Sequence, residues 1–190
     1  MDIHQNKFPH RKRPAQMPPV ERHNRPVILF VTLAIQPRGN FLASDVFQAV
    51  FLEACRDADA WLVGRYVIMP DHVHLFCVPA RLPTVGIRRW SQYLKERITK
   101  RLGAQRLATG SPSSDRLEGE PVASRDADLP SASETPRGWR WQPNCWDTQV
   151  RSGEHYHEAW LYVRENPVRA GLVDDAGQWA YQGELNVLLW

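Results

Sequence analysis

The sequence of 190 residues predicts an α+β domain in which helices pack on an antiparallel sheet. Residues 27–35 form a β-branched apolar run, which is typical of a buried strand. Two further apolar segments, residues 61–69 and 72–78, are separated only by Pro70-Asp71, which leaves room for nothing longer than a hairpin turn. Helical periodicity follows the first strand and again follows the hairpin. The order β-α-β-β-α is that of the beginning of a ferredoxin-like sandwich.

Helical periodicity marks three segments in all. Ser44 or Asp45 can cap the first helix, whose apolar positions recur as far as Cys55. The second helix follows Pro83, and its apolar stripe consists of Ile87, Trp90, Leu94 and Ile98. The last helix, at about residues 153–165, is stopped by Pro167 and follows a short strand candidate at residues 145–150. Its apolar stripe consists of Tyr156, Ala159, Trp160 and Val163.

Composition excludes several classes of protein. Hydrophobic residues make up 43% of the chain and charged residues 24%, which is ordinary for a globular domain and unlike a disordered or fibrous chain. No apolar run approaches the roughly 18 residues that a membrane-spanning helix needs. The N-terminal charges are not followed by the apolar segment of a secretory signal. Because the three cysteines are widely spaced, a disulfide framework is not expected, and the prediction is a cytoplasmic protein without membrane contact.

The chain is predicted to hold one folded domain with an arm and an insertion. Residues 1–25 form a basic, flexible N-terminal arm that carries most of the positive excess behind the net charge of +3. Such arms bind nucleic acid in some proteins and are solvated tails in many more. Residues 26–190 form the domain itself. From about residue 103 to residue 137, large apolar side chains nearly vanish and Gly, Ser, Pro, Asp and Glu dominate, which predicts a disordered insertion.

Two histidines on one predicted strand are candidate metal ligands. Residues two apart on a strand share a face, so His72 and His74 project together and can hold one divalent ion. Phe76 stands where a third histidine would continue the pattern. Taken alone, the pair is more often found as ordinary histidines on the face of a sheet.

The last helix offers two further candidates. Tyr162 and Asn166 are one turn apart, on a face beside the apolar stripe. If this helix packs across the histidine-bearing face of the sheet, a phenol and an amide oxygen would converge on the imidazoles. Without the histidines, the better interpretation is a tyrosine at the edge of the core and an asparagine that caps the helix.

Three motifs occur together in one known family and in the same order. They are Met-Pro-Asp-His-Val-His-Leu at residues 69–75, Trp-Gln-Pro at residues 141–143, and Tyr162 ahead of Asn-Pro-Val-Arg-Ala-Gly-Leu-Val at residues 166–173. The chain resembles the REP-associated tyrosine transposases, which belong to the single-tyrosine HUH (His–hydrophobic–His) transposases of bacterial insertion sequences. The resemblance covers about residues 26–102 and 139–180, and it would make residues 26–190 an HUH transposase domain.

The resemblance implies a metal-dependent endonuclease and strand transferase that acts on single-stranded DNA beside hairpin-forming repeats. It assigns the nucleophile to Tyr162, which would form a 5′-phosphotyrosine intermediate. It assigns the protein ligands of a divalent ion, Mg²⁺ or Mn²⁺, to His72, His74 and Asn166. The chain departs from the family after Thr32, where an arginine is often found, and in residues 103–137, which replace a commonly short connection.

The expected partner is single-stranded or hairpin DNA, bound by a monomer or a homodimer. The candidate DNA contacts are Arg88, Arg89, Lys95, Trp141, Gln142 and Arg169. The basic residues of the second helix lie off its apolar stripe, where they could follow a DNA backbone or simply form a solvated face. Trp141 and Trp146 could stack on unpaired bases, although core packing is the more frequent role of a tryptophan.

Two alternative functions remain open at this point. One is an HUH nickase that initiates replication or plasmid transfer. The other is an HUH-fold DNA-binding protein without catalysis. Tyr93, on the flank of the second helix among basic residues, is the competing candidate for the nucleophile.

Overall fold

A computed structural model describes residues 27–81, 83–109 and 138–189. The predicted basic arm lies outside these residues, as does most of the predicted insertion. The elements are β1 (Leu29–Gln36), α1 (Asp45–Asp57), β2 (Trp61–Ile68), β3 (His72–Pro79), α2 (Ile87–Thr109), β4 (Arg140–Trp141), β5 (Trp146–Gln149), α3 (Gly153–Arg164), α4 (Asn166–Arg169) and β6 (Gln182–Glu184).

The strands form one antiparallel sheet in the order β4-β1-β3-β2-β6. Strands β4 and β5 share one edge of β1, because β4 pairs with Ile35 and Gln36 whereas β5 pairs with residues 29–32. The turn between β2 and β3 is closed by a hydrogen bond from the Met69 amide to the His72 carbonyl at 2.8 Å. The predicted α+β sandwich, with helices packed on an antiparallel sheet, is confirmed.

The two faces of the sheet are covered by different helices. One face carries Val31 and Leu33 of β1 into a core with the apolar stripes of α1 and α2. The opposite face carries Ile28 and Phe76 into a second core with Ala159 and Val163 of α3. Since side chains alternate along a strand, the histidines of β3 lie on the same face as Phe76. Helix α3 therefore packs on the histidine-bearing face, as the argument from Tyr162 and Asn166 requires.

The structure corrects the start of the predicted insertion. Helix α2 continues to Thr109, so residues 103–109 are helical, and only residues 110–137 lie outside the description. The reason is local propensity, because Gly103 is followed by Ala104, Gln105 and other good helix formers that outweigh one glycine. The predicted last helix is confirmed, because α3 ends at Arg164, ahead of Pro167. Pro167 lies in the first turn of the separate short helix α4, where a proline is well tolerated.

The structure also corrects the prediction for Lys95, which is buried and does not lie on an exposed basic face. Its ammonium donates hydrogen bonds to the carbonyls of Gln142 at 2.8 Å and Asn144 at 3.0 Å. Lys95 therefore fastens the segment after β4 to α2, and burial lowers the pKa of its ammonium group. These contacts leave the lysine unavailable to a DNA backbone.

The other basic residues of α2 fall into two groups. Arg97 and Arg101 are bound to acidic residues of α1, with both guanidinium groups on the Asp57 carboxylate. Arg88 and Arg89 are exposed, but α2 packs on the face of the sheet that is opposite to the histidines. Among the described helices, none combines the length and the apolar character needed to cross a membrane.

Candidate functional site

The two histidines of β3 face each other. Their Nε2 atoms are 3.0 Å apart, and the ring planes are at 80° with centroids separated by 4.5 Å. The side chain of His72 remains 26% exposed, so the site is open to solvent on one side. Both Nε2 lone pairs can therefore be directed at one small cation.

Each imidazole is held by a partner on its other nitrogen. His72 Nδ1 lies 2.6 Å from Asp71 Oδ1, and His74 Nδ1 lies 2.9 Å from Thr32 Oγ1. The hydrogen bond from His72, with a smaller contribution from Arg38, lowers the pKa of the Asp71 carboxyl group. An ionised carboxylate accepts a hydrogen bond from Nδ1–H, which fixes the His72 tautomer and leaves a free lone pair on Nε2.

Thr32 allows His74 to adopt either tautomer. The contact between the two Nε2 atoms requires one proton, which His74 supplies if its Nδ1 accepts a hydrogen bond from the Thr32 hydroxyl. If a cation takes both Nε2 lone pairs, His74 carries its proton on Nδ1 and donates a hydrogen bond to the same hydroxyl. A hydroxyl group serves both roles without any movement of the backbone.

The surroundings keep His74 neutral. Its ring lies against Phe30, with centroids 5.3 Å apart. Burial is the first cause that holds the pKa of His74 well below its ordinary value, and electrostatic interactions with His72 and Arg169 add to it. A neutral imidazole is the form that binds a metal ion.

Tyr162, Asn166 and Arg169 form one cluster at the end of α3 and the start of α4. The Arg169 guanidinium donates to the Tyr162 carbonyl at 2.5 Å and to the Asn166 Oδ1 atom, and it covers the Tyr162 ring at 4.2 Å from the centroid. The phenol-bearing side chain is 37% exposed. The charge of Arg169 also contributes to lowering the pKa of His74.

A metal ion at this place would need an unusual third ligand. Within residues 27–81, 83–109 and 138–189, no three His, Cys, Asp or Glu side chains gather as a metal site. An amide oxygen, such as that of Asn166, is a donor of the kind the histidine pair lacks. Cys77 and Cys145 are buried, and burial raises the pKa of both thiols, so they stay protonated and inert.

The predicted DNA contacts Trp141 and Gln142 differ in their position relative to the histidines. Trp141 packs toward the first helices, 6.3 Å from Phe47 between ring centroids, and its indole donates to Thr99 at 3.2 Å. The main chain of Gln142 is engaged with Lys95 and Ala34. Trp141 is therefore not placed beside the imidazoles, whereas Gln142 lies next to Ala34, the residue of β1 that pairs with His72.

Trp146, which the sequence offers together with Trp141 for base stacking, lies on the histidine face. It pairs with Thr32 across β1, and Thr32 pairs in turn with His74, so all three side chains share one face. Two strand spacings place Trp146 about 10 Å from His74 along the sheet. Its indole is 40% exposed. The signal that could have found it was the alternation along β5, whose register with β1 was unknown from sequence.

The fold has a known counterpart. The structure is similar to a solved structure described as a REP-associated tyrosine transposase bound to a REP hairpin, with a TM-score of 0.56 and 16% sequence identity over 82% of this chain and 75% of that chain. No family model matches the sequence, and no curated protein matches it. At this identity the likeness concerns the fold, and it confirms the fold that the sequence motifs implied.

The depressed pKa of His74 predicts how stability depends on pH. Below the ordinary value of 6.5 the unfolded chain takes up a proton that the folded chain refuses, so the free energy of unfolding falls as pH falls. In metal-free protein, His74→Asn should make the dependence shallower between about pH 5 and pH 6.5, by at most about 1.4 kcal/mol per pH unit. Urea denaturation at several pH values, in the presence of a chelator, measures this pH dependence of the free energy of unfolding.

The matched control is His157→Asn, which removes an exposed imidazole from α3. This variant should keep the pH dependence of the unaltered protein. Equal slopes for the His74 variant and the unaltered protein would show that His74 titrates normally in the fold.

Proposed function

We propose that this protein is a metal-dependent single-stranded DNA endonuclease and strand transferase of the REP-associated tyrosine transposase type. The observation that carries the proposal is the oriented histidine pair, whose Nε2 atoms face each other at 3.0 Å. The histidine pair lies on the face of the sheet that α3 covers. Helix α3 carries Tyr162 and leads into Asn166. The likeness to the REP-hairpin-bound transposase supports the fold on which this chemistry would be built.

The donor set fits a divalent cation. His72 and His74 would each supply Nε2, because both Nδ1 atoms are already occupied by Asp71 and Thr32. Asn166 would supply the amide oxygen, and mixed nitrogen and oxygen donors suit Mn²⁺ and tolerate Mg²⁺. When bound, such an ion supplies positive charge that stabilises the scissile phosphate and the departing oxygen.

Tyr162 would act as the nucleophile. Its phenol would give up its proton and form a bond from oxygen to phosphorus while the bond from phosphorus to the 3′-oxygen breaks. The 3′-oxygen would take up one proton and leave as a hydroxyl, so that the step neither gains nor loses a proton overall. The product is a 5′-phosphotyrosine link, which conserves the energy of the phosphodiester bond. A second 3′-hydroxyl could reverse the step and join two strands without ATP. The role of the fold is to hold phenol and phosphate in line.

The partner we propose is single-stranded DNA next to a hairpin, handled in the bacterial cytoplasm by a monomer or homodimer. A strand that enters the histidine face would meet Trp146, whose exposed indole lies on that face. Unpaired bases stack on such rings. Arg88 and Arg89 are exposed on the far side of the sheet, whereas Arg169 lies at the site itself.

Changing Tyr162 to Phe tests the nucleophile. Tyr162→Phe removes only the phenol oxygen, so we expect covalent adduct formation to be abolished while the melting temperature and DNA affinity stay nearly unchanged. The measurement incubates protein, Mn²⁺ and an oligonucleotide from the repeats that flank the gene, and detects the adduct by denaturing gel and mass spectrometry.

The control is Tyr93→Phe, which removes a phenol from an exposed side chain of α2 on the opposite side of the sheet. It should form the adduct normally, whereas His72→Ala should not form it. Loss of adduct formation in Tyr93→Phe, together with adduct formation in Tyr162→Phe, would contradict the assignment of Tyr162 as the nucleophile. DNA binding without an adduct in the unaltered protein would favour the non-catalytic DNA-binding alternative.

Changing Trp146 to Ala tests the path of the strand. Because one stacked base contributes about 1–3 kcal/mol, Trp146→Ala should weaken single-stranded DNA binding by roughly fivefold to a hundredfold. Fluorescence anisotropy with a labelled oligonucleotide measures this. Tyr93→Ala, which removes an equally exposed ring from the far face, should bind as the unaltered protein does. Equal losses in both variants would place the strand elsewhere.

A further inference from the structure

Arg169 makes contacts that compete with the proposed role of Asn166. Its guanidinium donates to the Asn166 Oδ1 atom, which is the atom that would face a metal ion. The same guanidinium is held by the Tyr162 carbonyl at 2.5 Å and by the Tyr162 ring at 4.2 Å from the centroid. One exposed cation therefore binds the nucleophile's residue and the third candidate ligand together.

An amide oxygen has two lone pairs, but the two cations would not share it easily. A guanidinium on Asn166 Oδ1 places a positive charge beside the position of a divalent ion, and like charges at such separations repel strongly. Removal of the guanidinium would relieve that repulsion and free the oxygen. For Arg169 to leave Asn166, its guanidinium needs another hydrogen-bond acceptor.

A DNA phosphate is such an acceptor. Arginine binds phosphate through two parallel hydrogen bonds, and a full negative charge is a better partner than a neutral amide oxygen. Because the guanidinium is exposed, a phosphodiester can reach it without local unfolding. The scissile strand would pass this point, since Tyr162 must reach its phosphorus.

We propose that Arg169 is an exchangeable clamp that binds Asn166 in the absence of DNA and transfers to a phosphodiester when DNA binds. The inference rests on the proposed function and adds to it a coupling between DNA binding and metal binding. The transfer frees the amide oxygen, so DNA binding and divalent metal binding at His72 and His74 strengthen each other. By linkage, each ligand must raise the affinity of the other by the same factor.

The experiment measures Mn²⁺ affinity with and without a saturating hairpin oligonucleotide, using the signal of free Mn²⁺ in electron paramagnetic resonance. All variants carry Tyr162→Phe, which blocks cleavage and keeps the ring that faces Arg169. DNA should raise Mn²⁺ affinity in this background by about fivefold or more. Adding Arg169→Ala should raise Mn²⁺ affinity without DNA by a similar factor and leave little further gain with DNA.

The matched control is Arg38→Ala, which removes another exposed guanidinium near the histidines, 3.5 Å from Asp71 and without contact to Asn166. It should keep the full gain with DNA, so the difference between the two variants separates exchange from a general charge effect. Titration of Mn²⁺ into the oligonucleotide without protein measures the amount of Mn²⁺ that the DNA itself binds. Circular dichroism confirms that each variant is folded.

The outcomes separate the inference from the function. Mn²⁺ binding that depends on His72 but is unchanged, or weakened, by Arg169→Ala would overturn the clamp and leave the metal site standing. An equal gain with DNA in the Arg169 and Arg38 variants would also overturn it. If no variant shows Mn²⁺ binding that depends on His72, the metal site fails and the clamp fails with it.

Discussion

The site depends on the two hydrogen bonds that hold the Nδ1 atoms of His72 and His74. Asp71 fixes His72 from the hairpin turn, and Thr32 fixes His74 from the neighbouring strand. The second of these exists only because β1 and β3 pair in the register that sets Thr32 opposite His74. A slip of one residue would turn the threonine to the other face and leave His74 Nδ1 without this partner. The register of this strand pair thus decides where the Nε2 atom of His74 points.

Helix α3 gives this pair its surroundings. The core of Ile28, Phe76, Ala159 and Val163 holds the helix across the histidine face, and it buries His74 enough to keep its imidazole neutral. The end of α3 and the short α4 then deliver Tyr162, Asn166 and Arg169 as one group joined by the guanidinium. In the proposed function, stability and catalysis would be linked here, because the packing that anchors the helix would also set the access of phenol and amide to the imidazoles.

Sequence periodicity was sufficient for the long elements and for the shared face of His72 and His74. It could not predict β4 or β6, because strands of two or three residues have no measurable period. The burial of Lys95 depends on carbonyls of a segment distant in sequence, so the helix pattern alone put it on the surface. The choice between Trp141 and Trp146 depended on strand register for the same reason. Arg169 was predicted as a DNA contact, but its bonds to Asn166 and Tyr162 follow from the turn between α3 and α4.

The most direct test of this account is a crystal structure of the protein grown with Mn²⁺ and measured for anomalous scattering. The account predicts one strong anomalous peak within coordination distance of Nε2 of both His72 and His74, with the Asn166 amide oxygen as the third protein ligand. Each Nδ1 should keep its bond, to Asp71 in one ring and to Thr32 in the other. An absent peak at a concentration that supports DNA cleavage, or a peak bound elsewhere, would contradict the claim that this histidine pair is a preorganised metal site.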